Sequence, residues 1–124
     1  MIRRVLQWLP VLALVAGPSV FADEGADIEE GDASYYADSL DGNTMANGEA
    51  YDKDAMTAAH RQLPFGTVVE VTYLNTGRSV EVTITDRIPR ETKRVIDVSR
   101  AAAEELGMID DGVGPATVEV VSTP

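Results

Sequence analysis

The 124-residue sequence contains no cysteine and a single histidine, and its ten lysines and arginines face 21 aspartates and glutamates. Each shortage closes a class of function. Without cysteine there is no disulfide, no thiolate metal site, no cysteine nucleophile and no lipid-bearing cysteine. One imidazole, His60, is too few for any centre that needs a histidine pair. A formal charge of −11 leaves no broad basic face to hold nucleic acid. No metal or organic cofactor is expected, because the acids do not fall at calcium-loop spacing and His60 has no partner ligands. Chemistry is left to carboxylates, hydroxyls and His60.

The N-terminus has the pattern of an export signal. Arg3 and Arg4 precede an apolar stretch from Val5 to Gly17, broken by Gln7 and Pro10, and Val20-Phe21-Ala22 places small side chains at −3 and −1 before Asp23. An uncleaved membrane anchor is the competing reading. The stretch is shorter than the roughly 20 residues needed to cross a bilayer, and Pro10 interrupts it. Residues 1–22 are therefore expected to be a signal peptide, with the protein periplasmic or secreted and without a stable membrane anchor once cleaved. The remainder, about 100 residues, suffices for one compact core without staples. Its acidity is that of a solvated, aggregation-resistant surface.

Residues 23–31 are strongly acidic, with Ile28 the one large apolar side chain, and are expected to be a disordered leader. The folded domain is then expected over 32–122. A first strand is expected at Ala33 to Ala37, followed by the loop Asp38 to Asn43 and a tight turn at Asn47-Gly48. Thr67 to Thr85 reads as a hairpin. Val69, Val71 and Tyr73, then Val80, Val82 and Ile84, alternate with polar residues around the turn Asn75-Thr76-Gly77. Val95 to Val98 is a short buried strand. Ser99 is placed to cap a helix over Arg100 to Leu106, which Gly107 ends, and Ala116 to Val121 alternates as a last strand. The chain is mostly β, with six or seven short strands and one helix.

Three places offer reactive groups beside turns or strand ends. Glu49 follows the Asn47-Gly48 turn, His60 closes Thr57-Ala58-Ala59-His60, and Asp86 ends the second hairpin strand before Arg87. Each also has a plain structural reading. Glu49 fits a solvated turn residue, His60 a hydrogen-bonded packing residue, and Asp86 a loop cap or a partner of Arg87. Side chains of neighbouring strand residues point to opposite faces, so Asp86 and Arg87 need not pair. Asp97, inside a buried strand, is expected to accept backbone hydrogen bonds.

The order of motifs resembles the rare lipoprotein A (RlpA) family. The resemblance rests on Ala33-Ser34-Tyr35-Tyr36, Ala46-Asn47-Gly48-Glu49-Ala50-Tyr51-Asp52, Thr57-Ala58-Ala59-His60, Leu63-Pro64-Phe65-Gly66-Thr67, Asp86-Arg87 and Ile96-Asp97-Val98-Ser99. It covers about residues 31–122. It implies a six-stranded double-psi β-barrel with one short helix, as in expansins and barwin-like proteins. It also implies a lytic transglycosylase that cuts peptide-poor peptidoglycan glycan strands between N-acetylmuramic acid and N-acetylglucosamine, leaving 1,6-anhydro ends. Carried over by motif, Asp86 is the acid and base, His60 orients it or stabilises charge on the sugar, and Glu49 is a third catalytic candidate. Burial and a nearby Glu49 charge would favour a protonated Asp86. Tyr36, Asn47 and Arg87 line the sugar groove, with the tyrosine stacking on a ring.

The chain departs from the family pattern at several positions. Thr85 stands where asparagine is usual, Ile88 where glycine is usual, Met45 where threonine is usual and Ala37 where glycine is common. No C-terminal peptidoglycan-binding repeat is recognised, so targeting by such a domain is not expected. Peptidoglycan is the expected partner of a monomer. The alternative from a different class is a non-catalytic, expansin-like wall-binding domain; an inhibitor of other wall enzymes is a third reading with no specific motif behind it.

Overall fold

The computed structural model describes residues 28–124, and the proposed signal peptide lies outside the described residues. Six strands and one helix follow in order: β1 (Ile28–Tyr35), β2 (Thr57–His60), β3 (Val68–Tyr73), β4 (Arg78–Arg87), β5 (Arg94–Val98), α1 (Arg100–Leu106) and β6 (Gly114–Ser122). They close into a barrel in the order β1-β5-β2-β4-β3-β6, with β6 returning to β1. Two neighbouring pairs are parallel, β1 with β5 and β2 with β4; the other pairings are antiparallel. This is the expected six-stranded double-psi β-barrel with a short helix.

The hairpin forms as its alternation requires. Val69, Val71 and Tyr73 of β3, with Val80, Val82 and Ile84 of β4, point inward and are buried. Gly77 takes φ +77° in the connecting turn, a conformation that costs glycine little. The Ser99 side chain caps α1 by accepting from the Ala102 amide at 3.2 Å. Gly107 ends the helix in the left-handed region at φ 74°. Ala102, Ala103 and Leu106 of α1 join the barrel core, together with Met108 beyond the helix.

The start of the domain requires a correction. Ile28–Gly31 was assigned to a disordered leader, yet it is the first half of β1, paired with Ala116 to Glu119 of β6. Apolar content is a poor guide here, because the segment is ordered chiefly by a backbone ladder. Gly31 also has a packing reason: a β-carbon there would run into Val95. The first strand ends at Tyr35, two residues earlier than expected, and Asp38–Leu40 forms a single 3₁₀ turn.

Two consequences for stability follow. A β-carbon at Gly114 would collide with the hydroxyl of Tyr73, which is fully buried and donates to Asp111 Oδ2 at 2.6 Å. Gly114→Ala should lower unfolding free energy by about 1–3 kcal/mol in denaturant titration, the range for overpacking a tight core; an unchanged midpoint would show that Tyr73 can move aside. On the outer wall, Glu70 lies directly across from Glu81 on β4 and from Glu119 on β6. Like charges in opposed positions destabilise a sheet. Glu70→Lys should therefore stabilise the barrel by about 0.5 kcal/mol, with the gain shrinking as salt is added.

Candidate active site

Asp86 is the penultimate residue of β4. There β4 runs parallel to β2, with Ala59 opposite Asp86 and His60 opposite Arg87, just past a register shift between Ala58 and Ala59. Such irregularities re-aim side chains at barrel rims. Asp86 lines a cavity of about 390 Å³, whose walls include Ser34, Tyr36, Arg87, Arg94 and Asp97.

Three donors converge on the Asp86 carboxylate. The Tyr36 phenol donates to Oδ2. The amides of Ala46 and Arg87 donate to Oδ1 at 2.8 and 2.9 Å. Tyr36 directly follows β1, and its amide is tied to the Val98 carbonyl at 3.1 Å. One face of its ring is stacked on Tyr51, with centroids 4.3 Å apart and planes inclined by 20°. Tyr51 is buried in turn, and its hydroxyl accepts from the Arg100 amide at 3.1 Å. Tyr36 therefore has at most one ring face left for a sugar, and its hydroxyl is committed to Asp86.

Asp97 lines the same cavity, which the sequence reading did not anticipate. Its carboxylate accepts from side chains and not from the backbone expected of it: Ser34 Oγ at 2.6 Å, Arg94 Nε at 2.7 Å and Arg94 Nη2 at 3.0 Å. The two-pronged contact with Arg94 fixes its orientation. The parallel pairing of β1 with β5 sets Ser34 beside Asp97. Parallel register between distant segments cannot be read from hydrophobic alternation.

The remaining candidates divide. Arg87 lies on the cavity wall with its guanidinium over the Phe65 ring, 4.1 Å from the centroid. It forms no ion pair with the Asp86 carboxylate, in keeping with the strand geometry. Asn47 reaches the site through its backbone, donating to the Thr85 carbonyl at 3.2 Å, while its side-chain oxygen accepts from the Glu49 amide at 2.9 Å. Glu49 itself is exposed, on the loop closed by the Thr44–Ala50 bridge, and is not on the cavity wall.

His60 faces elsewhere. It is only 3% exposed and lines a separate cavity of about 300 Å³ with Ile28, Glu29, Leu63 and Val118. Its Nδ1 accepts from the amides of Gln62 and Leu63 at 3.1 and 3.2 Å, so the ring proton sits on Nε2, which meets Glu29 Oε1 at 2.8 Å. The structure thus gathers Asp86, Tyr36, Arg87 and Asp97, and sets His60 and Glu49 apart from them. Among the described residues no cluster of three or more metal-binding side chains is present.

Burial, then the hydrogen bond to Asp86 and its negative charge, push the Tyr36 phenol far above its ordinary 10.0. Burial also raises Tyr51, and burial followed by the bond to Asp111 raises Tyr73. These folded phenols hold their protons more tightly than the unfolded chain does. Their contribution to stability is complete below pH 10.0 and is lost as pH rises from there toward the folded values. Unfolding free energy should therefore fall above about pH 10, and Tyr36→Phe should flatten part of that slope. An ultraviolet titration in which all four tyrosines ionise normally in the folded protein would contradict this.

Comparison with known proteins finds one family profile and several named relatives. The family profile described as "Lytic transglycolase" matches residues 28–118. A protein of Treponema pallidum named "Probable endolytic peptidoglycan transglycosylase RlpA" is 50% identical over 99 residues, covering 80% of this chain and 31% of that protein. Across three such relatives the chain spans only 25% to 36% of their length. Among solved structures, the Streptomyces papain inhibitor aligns with TM-score 0.62 and 28% identity, over 77% of this chain and 94% of that one. A Clavibacter michiganensis expansin aligns with TM-score 0.61 and 27% identity, over 78% of this chain and 52% of that one.

Proposed function

The chain belongs to the rare lipoprotein A family of double-psi β-barrel proteins, and from that premise we propose that it is an exported lytic transglycosylase acting on peptidoglycan glycan strands. The observation that carries this reading is the Asp86 carboxylate, held by Tyr36, Ala46 and Arg87 on the wall of a cavity that also presents Asp97.

The reaction needs one group that gives a proton and takes one back. Asp86 protonates the oxygen linking N-acetylmuramic acid to N-acetylglucosamine as the bond to muramoyl C1 breaks. The muramoyl C6 hydroxyl then closes on C1 and returns its proton to Asp86. No water is consumed, which separates this chemistry from the two-carboxylate hydrolysis of ordinary glycosidases.

Asp86 accepts hydrogen bonds from all three of its partners. To donate, it needs an oxygen free of donors, and a sugar that displaces the Tyr36 hydroxyl would supply one. Asp97, gripped by Arg94, is a fixed negative group that faces the positive charge developing on the ring. His60 acts from outside the cavity, holding the Gln62 and Leu63 amides of the loop that leads to Phe65, on which Arg87 rests. The protein works as a monomer in the periplasm or outside the cell.

A second reading has an observation of its own. A mutant of the Clavibacter michiganensis expansin, a fold relative of which this chain covers 52%, has been solved in complex with cellohexaose. A binding domain without turnover would use the same groove.

Mass spectrometry of peptide-free glycan strands after incubation separates the two. Anhydromuramoyl ends should form with the native chain and fall by at least about a thousandfold in Asp86→Asn, the scale expected when an acid/base group is lost, while the variant keeps its melting curve. Strands that are bound but remain intact would favour the wall-binding reading; an unfolded Asp86→Asn would make Asp86 a structural residue.

A further inference from the structure

The basic side chains of this acidic protein are unevenly placed. Eight lie within the described residues; Arg87 ends β4, Arg90 and Lys93 lie in the loop that follows, Arg94 begins β5, and Arg61 packs beside them. The Arg61 Nη2 donates to the carbonyls of Thr92 and Arg94 at 2.8 and 2.9 Å. Arg94 is matched by Asp97, and Arg87 is spread over Phe65. Arg61 and Arg90 differ from Arg94 in that, among the described residues, neither has a carboxylate within ion-pair distance. Together with Gln62 they line a third cavity, of about 370 Å³.

This cavity shares Gln62 with the His60 cavity and is close along the chain to the proposed active site, Arg90 lying between Arg87 and Arg94. β4 brings Asp86 and Arg87 to the first cavity, the following loop carries Arg90 to the third, and β5 begins at Arg94 on the first again. A long substrate leaving the first cavity along this loop meets two arginines and an amide. That is a donor-rich, acceptor-poor surface on a chain of net charge −11, which otherwise repels anions.

We propose that Arg61 and Arg90, with Gln62, form a carboxylate subsite that reads the free lactyl group of a peptide-free muramoyl residue beside the one being cleaved. The inference rests on the transglycosylase reading above. Stem peptides are joined to muramic acid through an amide at this lactyl carboxyl, so their removal exposes one anion on every second sugar. A strand that keeps its peptides has no lactyl carboxylate to offer and carries a bulky chain in its place. Guanidinium groups suit carboxylate recognition because their planar N–H forks match its two oxygens. Glu91 is the one acid in the loop and is not on the cavity wall.

The test uses the chain with peptide-free glycan strands, and with the same strands after their lactyl carboxylates have been converted to amides. Arg90 is exposed, so Arg90→Gln should leave the fold intact. The native chain should bind the carboxylate strands roughly three- to tenfold more tightly than the amidated ones, the scale of one or two exposed charge-assisted hydrogen bonds. Arg90→Gln should erase most of that difference and reduce the salt dependence of binding, while uncharged chitooligosaccharides should bind both proteins alike. Equal binding of carboxylate and amidated strands by the native chain, with anhydro products still forming, would overturn the subsite and leave the transglycosylase reading standing. Neither binding nor turnover of any glycan would overturn both.

Discussion

Closure of the barrel depends on β1, which must pair in opposite senses with two partners at once. Its first half runs antiparallel to β6, and its second half runs parallel to β5 after a register shift between Asp32 and Ala33. That dual pairing fixes three separate pieces of the molecule. It sets Ser34 beside Asp97, delivers Tyr36 to Asp86 and brings Glu29 to the buried His60. A one-residue slip would turn every one of these side chains to the opposite face of the sheet. The site is therefore a property of strand register before it is a property of any catalytic residue.

The same dependence explains what could be read from the sequence. The β3–β4 hairpin was legible because alternation and a glycine turn are local signals. So was α1, whose cap at Ser99 and terminator at Gly107 lie within a few residues of the helix. The place of Asp86 near the end of the second hairpin strand was legible too. The first half of β1 was not, because its order comes chiefly from hydrogen bonds to a strand some ninety residues away, and an acidic composition conceals it. Asp97 was misread for a related reason: a buried strand was expected to leave only backbone donors, whereas a parallel neighbour and its own Arg94 supply side-chain ones. Motif order likewise grouped His60 with Asp86, since they stand on paired strands, but opposed faces separate their side chains.

Charge organises the surface as register organises the interior. The outer wall carries the Glu81–Glu70–Glu119 row, an arrangement of like charges unfavourable for the sheet. Among the described residues, cations are concentrated from Arg87 to Arg94, around the β4–β5 loop. On the proposed reading, an anionic glycan is repelled by the acidic surface and drawn toward the β4–β5 loop.

The departures from the family pattern fall around Asp86 without touching what holds it. Thr85 and Met45 are in contact, the hydroxyl lying 3.3 Å from the thioether sulfur, so two of the unusual residues accommodate each other. Ile88 is buried, and its amide points to the His60 carbonyl at 3.4 Å. Two of the three donors to Asp86 are backbone amides, of Ala46 and Arg87, and backbone donors do not depend on which side chain occupies a neighbouring position. The third is Tyr36, which belongs to the shared motif. A loop can therefore exchange glycine for isoleucine and asparagine for threonine while the carboxylate keeps its partners, provided the new side chains pack inward as Ile88 and Thr85 do. Substitution here alters the wall behind the acid and leaves its hydrogen-bonding intact.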